Sequence, residues 1–324
     1  MDLDVVFLGT AGSAPTAKRA PSALLIRRGG ERLLFDCGEG TQRQLLQSSV
    51  GLVDLPEIFL THFHADHFLG LPGMLKTFAL RGREVGLTVY GPPGLRDLFD
   101  VLRRIVGRLP YPLELKEVRA GDALEREDYK LLVFPATHGL AALGYALVEQ
   151  PRPGRFDVDA ADALGVPSGR ERGVLQHGES VTLDDGRTIT PDAVLGPPRQ
   201  GRSILYPGDT RPSEVVQALA EGADLLIHEA TFADEDAERA AETHHSTATQ
   251  AAEVARAAGV RMLALTHVSP RYFGPEIANE AREVFPNTVV PRDFDVIEVP
   301  FPERGEPTLR KGGALPDREA AAVG

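Results

Sequence analysis

Several features that define other protein classes are scarce in this sequence, and each scarcity excludes something. The chain has one cysteine, Cys37, so no disulfide can form within it and its stability must come from packing. No window approaches the roughly eighteen consecutive apolar residues of a membrane-spanning helix. The first residues, MDLDVVFLGT, carry acids where a secretory signal would carry basic residues. The sequence alone therefore predicts a cytoplasmic protein.

Positive charge is also in short supply. The 324 residues include 35 lysines and arginines against 47 aspartates and glutamates, which gives a formal net charge of -12. A field of that sign repels polyanions at long range, so a nucleic-acid partner would have to meet local basic patches. With 42% hydrophobic and 25% charged residues, the composition is that of an ordinary soluble protein with one large or two ordinary domains.

Short apolar segments alternate with helical patterns along the chain. Strands are predicted at DVVFLG, ERLLFDC, EIFLT, LTVYG, KLLVFPA, RSILYPGD, ADLLIHEA and RMLALTH. Apolar residues at helical spacing occur in TQRQLLQSSV, GLRDLFDVLRRIV, SEVVQALAEG and TATQAAEVARAAG. Strands separated by helices indicate α/β layers.

Residues 150–202 break this alternation with many prolines and glycines, and DVDAADALGV is their only convincing helix. We therefore expect an insertion that projects from the core, at about residues 150–195. The last stretch, residues 303–324, is expected to be a flexible tail.

The most informative stretch is THFHADH, residues 61–67, which directly follows the predicted strand EIFL. An extended backbone points His62 and His64 to the same side, so their ring nitrogens can converge on one ion. Asp66 and His67 lie past the following turn and face a second position. Imidazole nitrogen with carboxylate oxygen suits zinc, and would also suit manganese or iron. A polar loop with coincidental histidines is the weaker interpretation of this spacing.

Three other predicted strand ends each carry a candidate ligand. His138 follows KLLVFPA, Asp209 follows SILYPG, and His267 follows MLALT. Sites on α/β sheets tend to lie at the carboxyl ends of the strands. A lone histidine or a Gly-Asp turn is more often structural, but together with the first cluster these residues complete a set of seven candidate ligands.

Besides THFHADH, three short motifs stand out: HEATF (228–232), the HST of residues 245–247 and PTAKRAPS (15–22). Together these motifs resemble those of the ribonuclease Z family, the tRNA 3'-processing endonucleases of the metallo-β-lactamase superfamily. The stretch LGVPSGRERGVLQHGESVTLDDGRTITP resembles the family's tRNA-binding arm. Arg170 stands where the arm usually has a proline, and Ala20 stands where asparagine is usual.

The resemblance extends to about residue 300 and implies an α/β fold with four layers, αββα. It implies one metallo-hydrolase domain, residues 1–302, from which the arm protrudes. It also implies two Zn²⁺ ions per subunit, with Mn²⁺ or Fe²⁺ as possible substitutes. The implied ligands are His62, His64 and His138 for one ion, and Asp66, His67 and His267 for the other, with Asp209 bridging.

The family's reaction removes the 3' trailer from precursor tRNA and leaves a 3'-hydroxyl on the tRNA. Two divalent ions suit it because they can activate a water molecule and neutralise charge on a phosphodiester. Asp66 is then expected to orient and deprotonate that water as general base. The departing 3' oxygen needs a proton donor, for which His245 is the candidate. Glu229 is expected to orient a metal ligand or that acid, unless it is simply a solvated acid at a strand end.

Other polar groups are expected to support the site or the RNA. Asp36 and Glu39 are expected to hold the loop beneath the metals, although turn chemistry explains them almost as well. The candidate RNA contacts are Lys18, Arg19, Arg43, Arg170, Arg172, Arg271 and Tyr272; scattered solvated charge is the alternative for each. The resemblance also implies a homodimer, in which the arm of one subunit holds the tRNA that the other cuts.

Three rival functions share parts of this pattern. A zinc β-lactamase would have the same fold, but such enzymes lack this pairing of Asp66 and His67 with a long arm, or use a cysteine ligand that Cys37 is not placed to supply. A small-molecule phosphodiesterase or thioester hydrolase would keep all seven ligands, so only HEATF, HST and the arm oppose it. A non-catalytic RNA-binding relative is disfavoured by the intact ligand set.

Overall fold

A computed structural model describes residues 1–52 and 55–312, and the chain divides into two compact units. The main unit comprises Met1–Glu125, Lys130–Leu147 and the chain from Arg202 onward, and the second unit comprises Arg126–Tyr129 and Val148–Gly201. Within the described ranges, no helix has the length and apolar character needed to cross a membrane.

The strands of the described residues are short and follow one another closely along the chain. In chain order they are β1 (Leu3–Gly9), β2 (Ala23–Arg28), β3 (Glu31–Phe35), β4 (Glu57–Phe59), β5 (Leu87–Gly91), β6 (Leu113–Glu117), β7 (Ala123–Glu125), β8 (Tyr129–Ala136), β9 (Ala142–Glu149), β10 (Val181–Thr182), β11 (Thr188–Ile189), β12 (Ser203–Tyr206), β13 (Leu225–Glu229), β14 (Met262–Thr266), β15 (Thr288–Val289), β16 (Val296–Glu298) and β17 (Thr308–Arg310).

The helices lie between these strands. They are α1 (Thr41–Gln47), α2 (Ala65–Phe68), α3 (Gly70–Leu80), α4 (Leu95–Val106), α5 (Val158–Ala163), α6 (Arg170–Gln176), α7 (Glu214–Leu219), α8 (Ala237–Thr243), α9 (Ala248–Ala258) and α10 (Gly274–Val284). Single 3-10 turns occur at Pro191–Ala193, Asp234–Asp236 and Pro302–Arg304.

Most of the strands form two sheets of the main unit. The first sheet has the order β17-β16-β1-β2-β3-β4-β5-β6; it is antiparallel from β17 to β3 and parallel from β3 to β6. The second has the order β15-β14-β13-β12-β9-β8-β7, and its strands from β12 to β15 run parallel. The parallel strands of each sheet send their carboxyl ends to one edge.

The two sheets pack face to face through aromatic side chains, with helices outside them. Phe35 and Phe59 of the first sheet each lie 5.6 Å, between ring centroids, from Tyr145 of the second. Residues of α1, α3 and α4 share a buried core with β1 to β5. On the other side, α9 contacts β13 and β14, and α10 contacts β15. The predicted four layers, αββα, are therefore confirmed.

Local sequence explains why the central strands and the helices form where they do. Strands β13 and β14 are buried at every position, as expected of strands covered on both faces. In α4, Leu95, Phe99, Leu102 and Val106 are buried at helical spacing, which is the apolar stripe of a helix lying on a sheet. Helix α9 begins with a capping box made by Thr247 and Gln250.

The second unit has a small hydrophobic core of its own. Helices α5 and α6, the hairpin of β10 and β11 and the loops beside them contribute its buried residues: Ala161, Val166, Leu175, Val181, Ile189 and Val194. A Cβ atom on Gly154 would lie 1.9 Å from the carbonyl oxygen of Gly196, so glycine is required where these two segments meet. The sequence predicted one helix in this region, whereas the structure also contains helix α6 and the hairpin of β10 and β11.

Some elements of the main unit were not predicted. Strand β9 is rich in alanine, glycine and leucine, which carry little strand signal. Helices α3 and α10 carry Pro72 and Pro275, but each proline lies in the first helical turn, where a missing N–H removes no hydrogen bond.

The expected tail also begins later than predicted. The chain stays in the first sheet through β17, which pairs with β16, and Gly312 N donates to Asp295 Oδ1 at 2.9 Å. The expected start of the tail at residue 303 is therefore wrong, because the chain still contacts the first sheet up to residue 312. The rest of the expected tail, residues 313–324, lies outside the described residues.

Candidate metal centre

The seven candidate ligands lie where strands of the two sheets end. His62 and His64 follow β4, Asp66 and His67 lie in α2, His138 follows β8, Asp209 follows β12, and His267 follows β14. A Cβ atom on Gly208 would lie 2.9 Å from Cβ and Cγ2 of Thr61, closer than real side chains approach. Glycine at 208 therefore allows the segment carrying Asp209 to approach the segment carrying the histidines.

The first group of ligand atoms is formed by His62, His64, His138 and Asp209, which lie within 4.8 Å of one another. His64 Nδ1 lies 3.1 Å from His62 Nε2 and 3.2 Å from His138 Nε2. Asp209 Oδ2 lies 3.7 Å from His62 Nε2 and 4.0 Å from His138 Nε2. Three imidazole nitrogens and one carboxylate oxygen thus face a common point.

The second group is formed by Asp66, His67 and His267. The two Nε2 atoms of His67 and His267 lie 3.3 Å apart, and Asp66 Oδ2 lies 3.2 Å from His267 Nε2. Asp209 Oδ2 lies 3.4 Å from the Nε2 atoms of both His67 and His267. One oxygen of Asp209 therefore faces both groups, as the predicted bridging position requires.

Outer hydrogen bonds fix how four of these imidazoles present their nitrogens. The Nδ1 atoms have outer partners at 2.8–3.0 Å: Asp36 for His67, Thr61 Oγ1 for His62, the His244 carbonyl for His138, and Thr231 Oγ1 for His267. If each Nδ1–H donates outward, each Nε2 turns an unprotonated lone pair inward. Lone pairs that face one another repel, and a cation among them removes that repulsion.

Electrostatics at the centre also favour a bound cation. Burial, with neighbouring histidines, holds the pKa of His62 and of His64 below the usual value, so both are neutral, the form that binds metals. Burial opposes charge on His67, but Asp209 and Asp36 raise its pKa well above the usual value. Carboxylates that stabilise a proton there would stabilise a metal ion at the same place, so the residues fit divalent metal.

Asp36 organises this centre from beneath. Its buried carboxylate accepts hydrogen bonds from Thr61 N at 2.8 Å, Thr61 Oγ1 at 3.0 Å and Tyr206 OH at 2.8 Å, besides that from His67. Its backbone φ is 58°, and that of His267 is also 58°, so both residues adopt the left-handed conformation that favours glycine. Glu39, by contrast, is exposed.

Asp66 is held as an ionised carboxylate. Ser13 N donates to its Oδ2 at 2.8 Å. Burial alone would raise the pKa of Asp66, but the hydrogen bond from His267 and the charge of His67 lower it below the usual value. An ionised carboxylate at this position can accept a hydrogen bond from a water molecule.

Glu229 is a buried hydrogen-bond acceptor and not a solvated acid. His245 Nδ1 lies 2.7 Å from its Oε1, and Thr231 Oγ1 donates to its Oε2 at 2.7 Å. The same Thr231 hydroxyl is the outer partner of His267. Glu229 therefore orients His245 directly and His267 through Thr231. Thr231 and Thr61 were not singled out from the sequence, although each lies inside a quoted motif, HEATF or THFHADH.

His245 lies beside the candidate ligands, in the short segment between α8 and α9. Burial disfavours its charged form, but the carboxylates of Glu229, Asp209 and Asp66 raise its pKa to about 9. Its ring centroid lies 4.9 Å from that of His138 and 5.5 Å from that of His267. His245 also forms a third group of possible ligand atoms with Asp209 and His267, so the geometry is compatible with either an acid or a ligand.

The expected RNA contacts are placed unequally. Lys18, Arg43 and Arg170 are exposed. Arg19 donates from Nη1 to Thr10 Oγ1 at 2.6 Å and to Pro291 O at 3.0 Å.

The remaining candidates have partners within the protein. Arg172, in the second unit, pairs with Asp162 and donates to Val166 O, and Arg271 lies 3.6 Å from Asp236. Tyr272 is buried and donates its hydroxyl to Asp236, which corrects its expected role as a base contact.

Cys37 does not contribute to the centre. The residue is buried, burial raises the pKa of its thiol, and it belongs to none of the possible metal-binding groups found among the described residues. The cysteine ligand of some zinc β-lactamases therefore has no counterpart here.

Comparison with known proteins shows which families and folds the chain resembles. The family profile described as metallo-beta-lactamase superfamily matches residues 17–150, and one described as beta-lactamase superfamily domain matches residues 170–268. A protein named ribonuclease Z from Methanosarcina acetivorans is 46% identical over 302 residues, which cover 92% of this chain and 99% of that protein. One of the same name from Gemmatimonas aurantiaca is 48% identical over 311 residues, 94% of this chain and 98% of that protein.

Solved structures show the same similarity. The crystal structure of human tRNase Z, short form, has a TM-score of 0.66 and 28% identity, covering 92% of this chain and 99% of that one. The metallo-beta-lactamase fold protein YhfI from Bacillus subtilis has a TM-score of 0.67 over 92% of this chain and 100% of that one. At 19% identity, the second likeness concerns the fold alone.

Proposed function

Because the chain belongs to the ribonuclease Z family of the metallo-β-lactamase superfamily, we propose that it is an endonuclease that removes the 3' trailer from precursor tRNA. The cut leaves a 3'-hydroxyl on the tRNA. The observation that carries this function is the identity of 46% over 92% of the chain with a protein named ribonuclease Z. The two facing groups of histidine and aspartate atoms supply the matching chemistry.

The cofactor in this proposal is a pair of divalent metal ions, and the donor atoms favour zinc. One ion would be held by His62, His64 and His138. The other ion would be held by Asp66, His67 and His267, and Asp209 would contribute to both sites. Imidazole and carboxylate donors are typical of zinc, and manganese or iron would also be accepted. When bound, two such ions activate a water molecule at neutral pH and offset the charge that develops on the phosphodiester.

Asp66 orients the attacking water in this mechanism. Its carboxylate is ionised and held by Ser13 N, at 2.8 Å from Oδ2. A fixed, ionised carboxylate can align a water molecule for in-line attack on phosphorus and accept its proton as the new P–O bond forms.

His245 protonates the leaving group. The 3' oxygen of the last tRNA ribose before the cut would not depart easily as a bare alkoxide, because such an anion is strongly basic. His245 Nδ1 is held by Glu229 at 2.7 Å, so the proton available for transfer is on Nε2. A histidine whose pKa is raised to about 9 carries that proton at neutral pH.

The RNA is held outside the metal centre. We propose that the second unit is the tRNA-binding arm, in which Arg170 is exposed, and that the protein acts as a homodimer. Sedimentation of the purified protein at several concentrations would measure the oligomeric state, and a monomer at the concentrations where it is active would contradict the dimer.

One experiment tests the function directly. The purified protein, loaded with zinc, is given a precursor tRNA with a 3' extension and, separately, bis(p-nitrophenyl) phosphate. We expect a single cut at the 3' end of the tRNA, with periodate-sensitive 3' ends on the product because a free cis-diol is present. Efficient hydrolysis of the small diester with no cut in the precursor would instead indicate a small-molecule phosphodiesterase.

A further inference from the structure

A groove beside the metal centre combines an exposed aromatic ring with positive charge. It has a volume of about 390 Å³ and is lined by residues from two segments, 16–19 and 269–275, and by Arg292. We call it the Phe273 groove.

The charge of the Phe273 groove is opposite to that of the whole chain. Among the described residues, its lining includes three cationic side chains, Lys18, Arg19 and Arg292, and no acidic one. Lys18 and Arg292 are exposed, and neither forms an ion pair with any residue in ranges 1–52 and 55–312. In a protein of net charge -12, such a patch is where a polyanion can approach.

The aromatic ring is presented by a fixed backbone. Phe273 is 80% exposed, while its carbonyl accepts from Glu276 N at 3.0 Å at the start of α10. The neighbouring Tyr272 is 9% exposed. An exposed ring on a hydrogen-bonded backbone is suited to stacking on a nucleic-acid base, and stacking tolerates any sequence because every base has a π face.

Both walls of the groove connect directly to candidate ligands. Ser269 lies two residues after His267 and donates its N–H to Thr231 O at 3.2 Å. The segment before Thr16 also contacts the centre, because Ser13 N donates a hydrogen bond to Asp66 Oδ2. One residue earlier, Gly12 N donates to Val268 O at 3.1 Å. The segments that line the groove are therefore continuous with the segments that hold the candidate ligands.

We propose that the Phe273 groove binds an unpaired RNA nucleotide next to the scissile phosphate. Phe273 stacks on its base, and Lys18 and Arg292 bind the phosphates that flank it. The inference rests on the proposed function, which brings RNA to this site. The nucleotide belongs either to the unpaired 3' end of the tRNA or to the trailer, and the same chemistry would recognise both.

A cycle of protein and substrate changes tests the stacking. Wild type and Phe273→Ala are compared on precursor tRNAs that are intact or that lack one base, either just before the cut or at the first or second trailer position. We expect Phe273→Ala to lower kcat/KM on the intact precursor by roughly 5- to 150-fold, the usual cost of losing one aromatic base stack. On the substrate that lacks the stacked base, Phe273→Ala should leave kcat/KM almost unchanged relative to wild type, because the stacking interaction is already absent.

The controls separate stacking from general damage. Phe273→Trp should retain activity, and Leu80→Ala, which removes an equally exposed apolar side chain (84% exposed) outside the groove, should leave kcat/KM unchanged. Hydrolysis of bis(p-nitrophenyl) phosphate should be the same in all variants. The position whose abasic substrate abolishes the Phe273 effect identifies the tRNA end or the trailer as the source. Equal effects of Phe273→Ala on all substrates would overturn the proposal.

Salt dependence tests the cationic part. Lys18→Gln and Arg292→Gln should each reduce the slope of log KM against log salt by about one, since each removes a phosphate contact. Lys76→Gln, an exposed lysine on α3, is the matched control and should leave the slope unchanged. Unchanged slopes in both groove variants would refute phosphate binding there.

Failure of the proposed function would be visible separately. If zinc-loaded wild type cut no precursor tRNA, the endonuclease function would fall. The groove would then be tested by binding of a single-stranded oligonucleotide carrying 2-aminopurine, whose fluorescence stacking quenches. Quenching by wild type and not by Phe273→Ala would support the groove, and equal fluorescence with both would overturn it.

Discussion

His245 is held by a buried carboxylate through Nδ1 and lies against the rings of two candidate ligands. We expect His245→Ala to lower cleavage of precursor tRNA by roughly 10²–10⁴-fold, the usual contribution of a placed general acid. Hydrolysis of bis(p-nitrophenyl) phosphate should fall much less, because nitrophenolate is a stable anion that departs without a proton. Kinetics on the two substrates, with metal content by elemental analysis, checks this.

The two alternatives for His245 give different results. If the residue is a ligand, as its proximity to Asp209 and His267 also permits, the variant should lose metal and both activities together. If tRNA cleavage is nearly unaffected, the proton comes from another group.

Glu229 sets the protonation of His245, so its effect should appear in the pH profile. In the proposed mechanism the protonated histidine is the active form, so activity should be present below its pKa and be lost as pH rises through that pKa. Burial opposes the charge on His245 but the carboxylate of Glu229 raises its pKa; Glu229→Gln removes that carboxylate charge and should shift the alkaline limb of the tRNA cleavage profile to lower pH.

A matched control for this shift is Glu242→Gln, which removes the same charge from an exposed position on α8. It should leave the limb in place. If Glu229→Gln left the alkaline limb of the cleavage profile unshifted, that limb would reflect the titration of a group other than His245.

At the scale of elements, the second unit can be removed without touching a candidate ligand. It has its own core, and backbone bridges within it join Arg152 to Arg199 and Phe156 to Leu195. Replacing residues 157–194 by a short glycine-serine linker should abolish cleavage of precursor tRNA while sparing the nitrophenyl diester. Activity on both substrates is the measurement, and an equal loss of both would make the unit structural.

Elements also show what the sequence could predict. The proximity of the candidate ligands was predictable because most of them follow a short apolar strand, and the period of a strand and the direction of parallel strands place their ends together. Asp36 and Thr231 act through tertiary hydrogen bonds to His67 and His267, which no local pattern encodes. Likewise, Tyr272 and Phe273 look alike in sequence, but only the structure shows that one is buried and the other exposed.

At the scale of the whole molecule, the candidate ligands connect the two sheets. His62, His64 and His67 follow the first sheet, whereas His138, Asp209 and His267 follow the second. Metal bound only by the folded chain should stabilise it, by about 2.7 kcal/mol when free metal is 100 times Kd. We therefore expect about two ions per chain by elemental analysis, and a lower Tm after chelation that zinc restores.

Asp209→Ala should remove the stabilisation that metal gives. The reason is that Asp209 Oδ2 lies 3.4–4.0 Å from histidine Nε2 atoms of both ligand groups. The variant should lose both ions and show the same Tm with and without zinc. Asp100→Ala, at a side chain that is 71% exposed, should keep the zinc-dependent shift. One ion or none in active wild-type protein would contradict the dinuclear centre.

The left-handed backbone at Asp36 and His267 has a consequence for how the family can vary. Each non-glycine residue in that conformation costs on the order of 1 kcal/mol, which glycine would recover. Glycine at position 36 would, however, leave the buried Thr61 N–H and Tyr206 hydroxyl without their acceptor, and each unsatisfied donor costs about 1–3 kcal/mol. The side-chain contacts therefore outweigh the backbone strain, so Asp36→Gly should lower Tm even in chelator, and a descendant that no longer binds metal would still keep an acceptor at position 36.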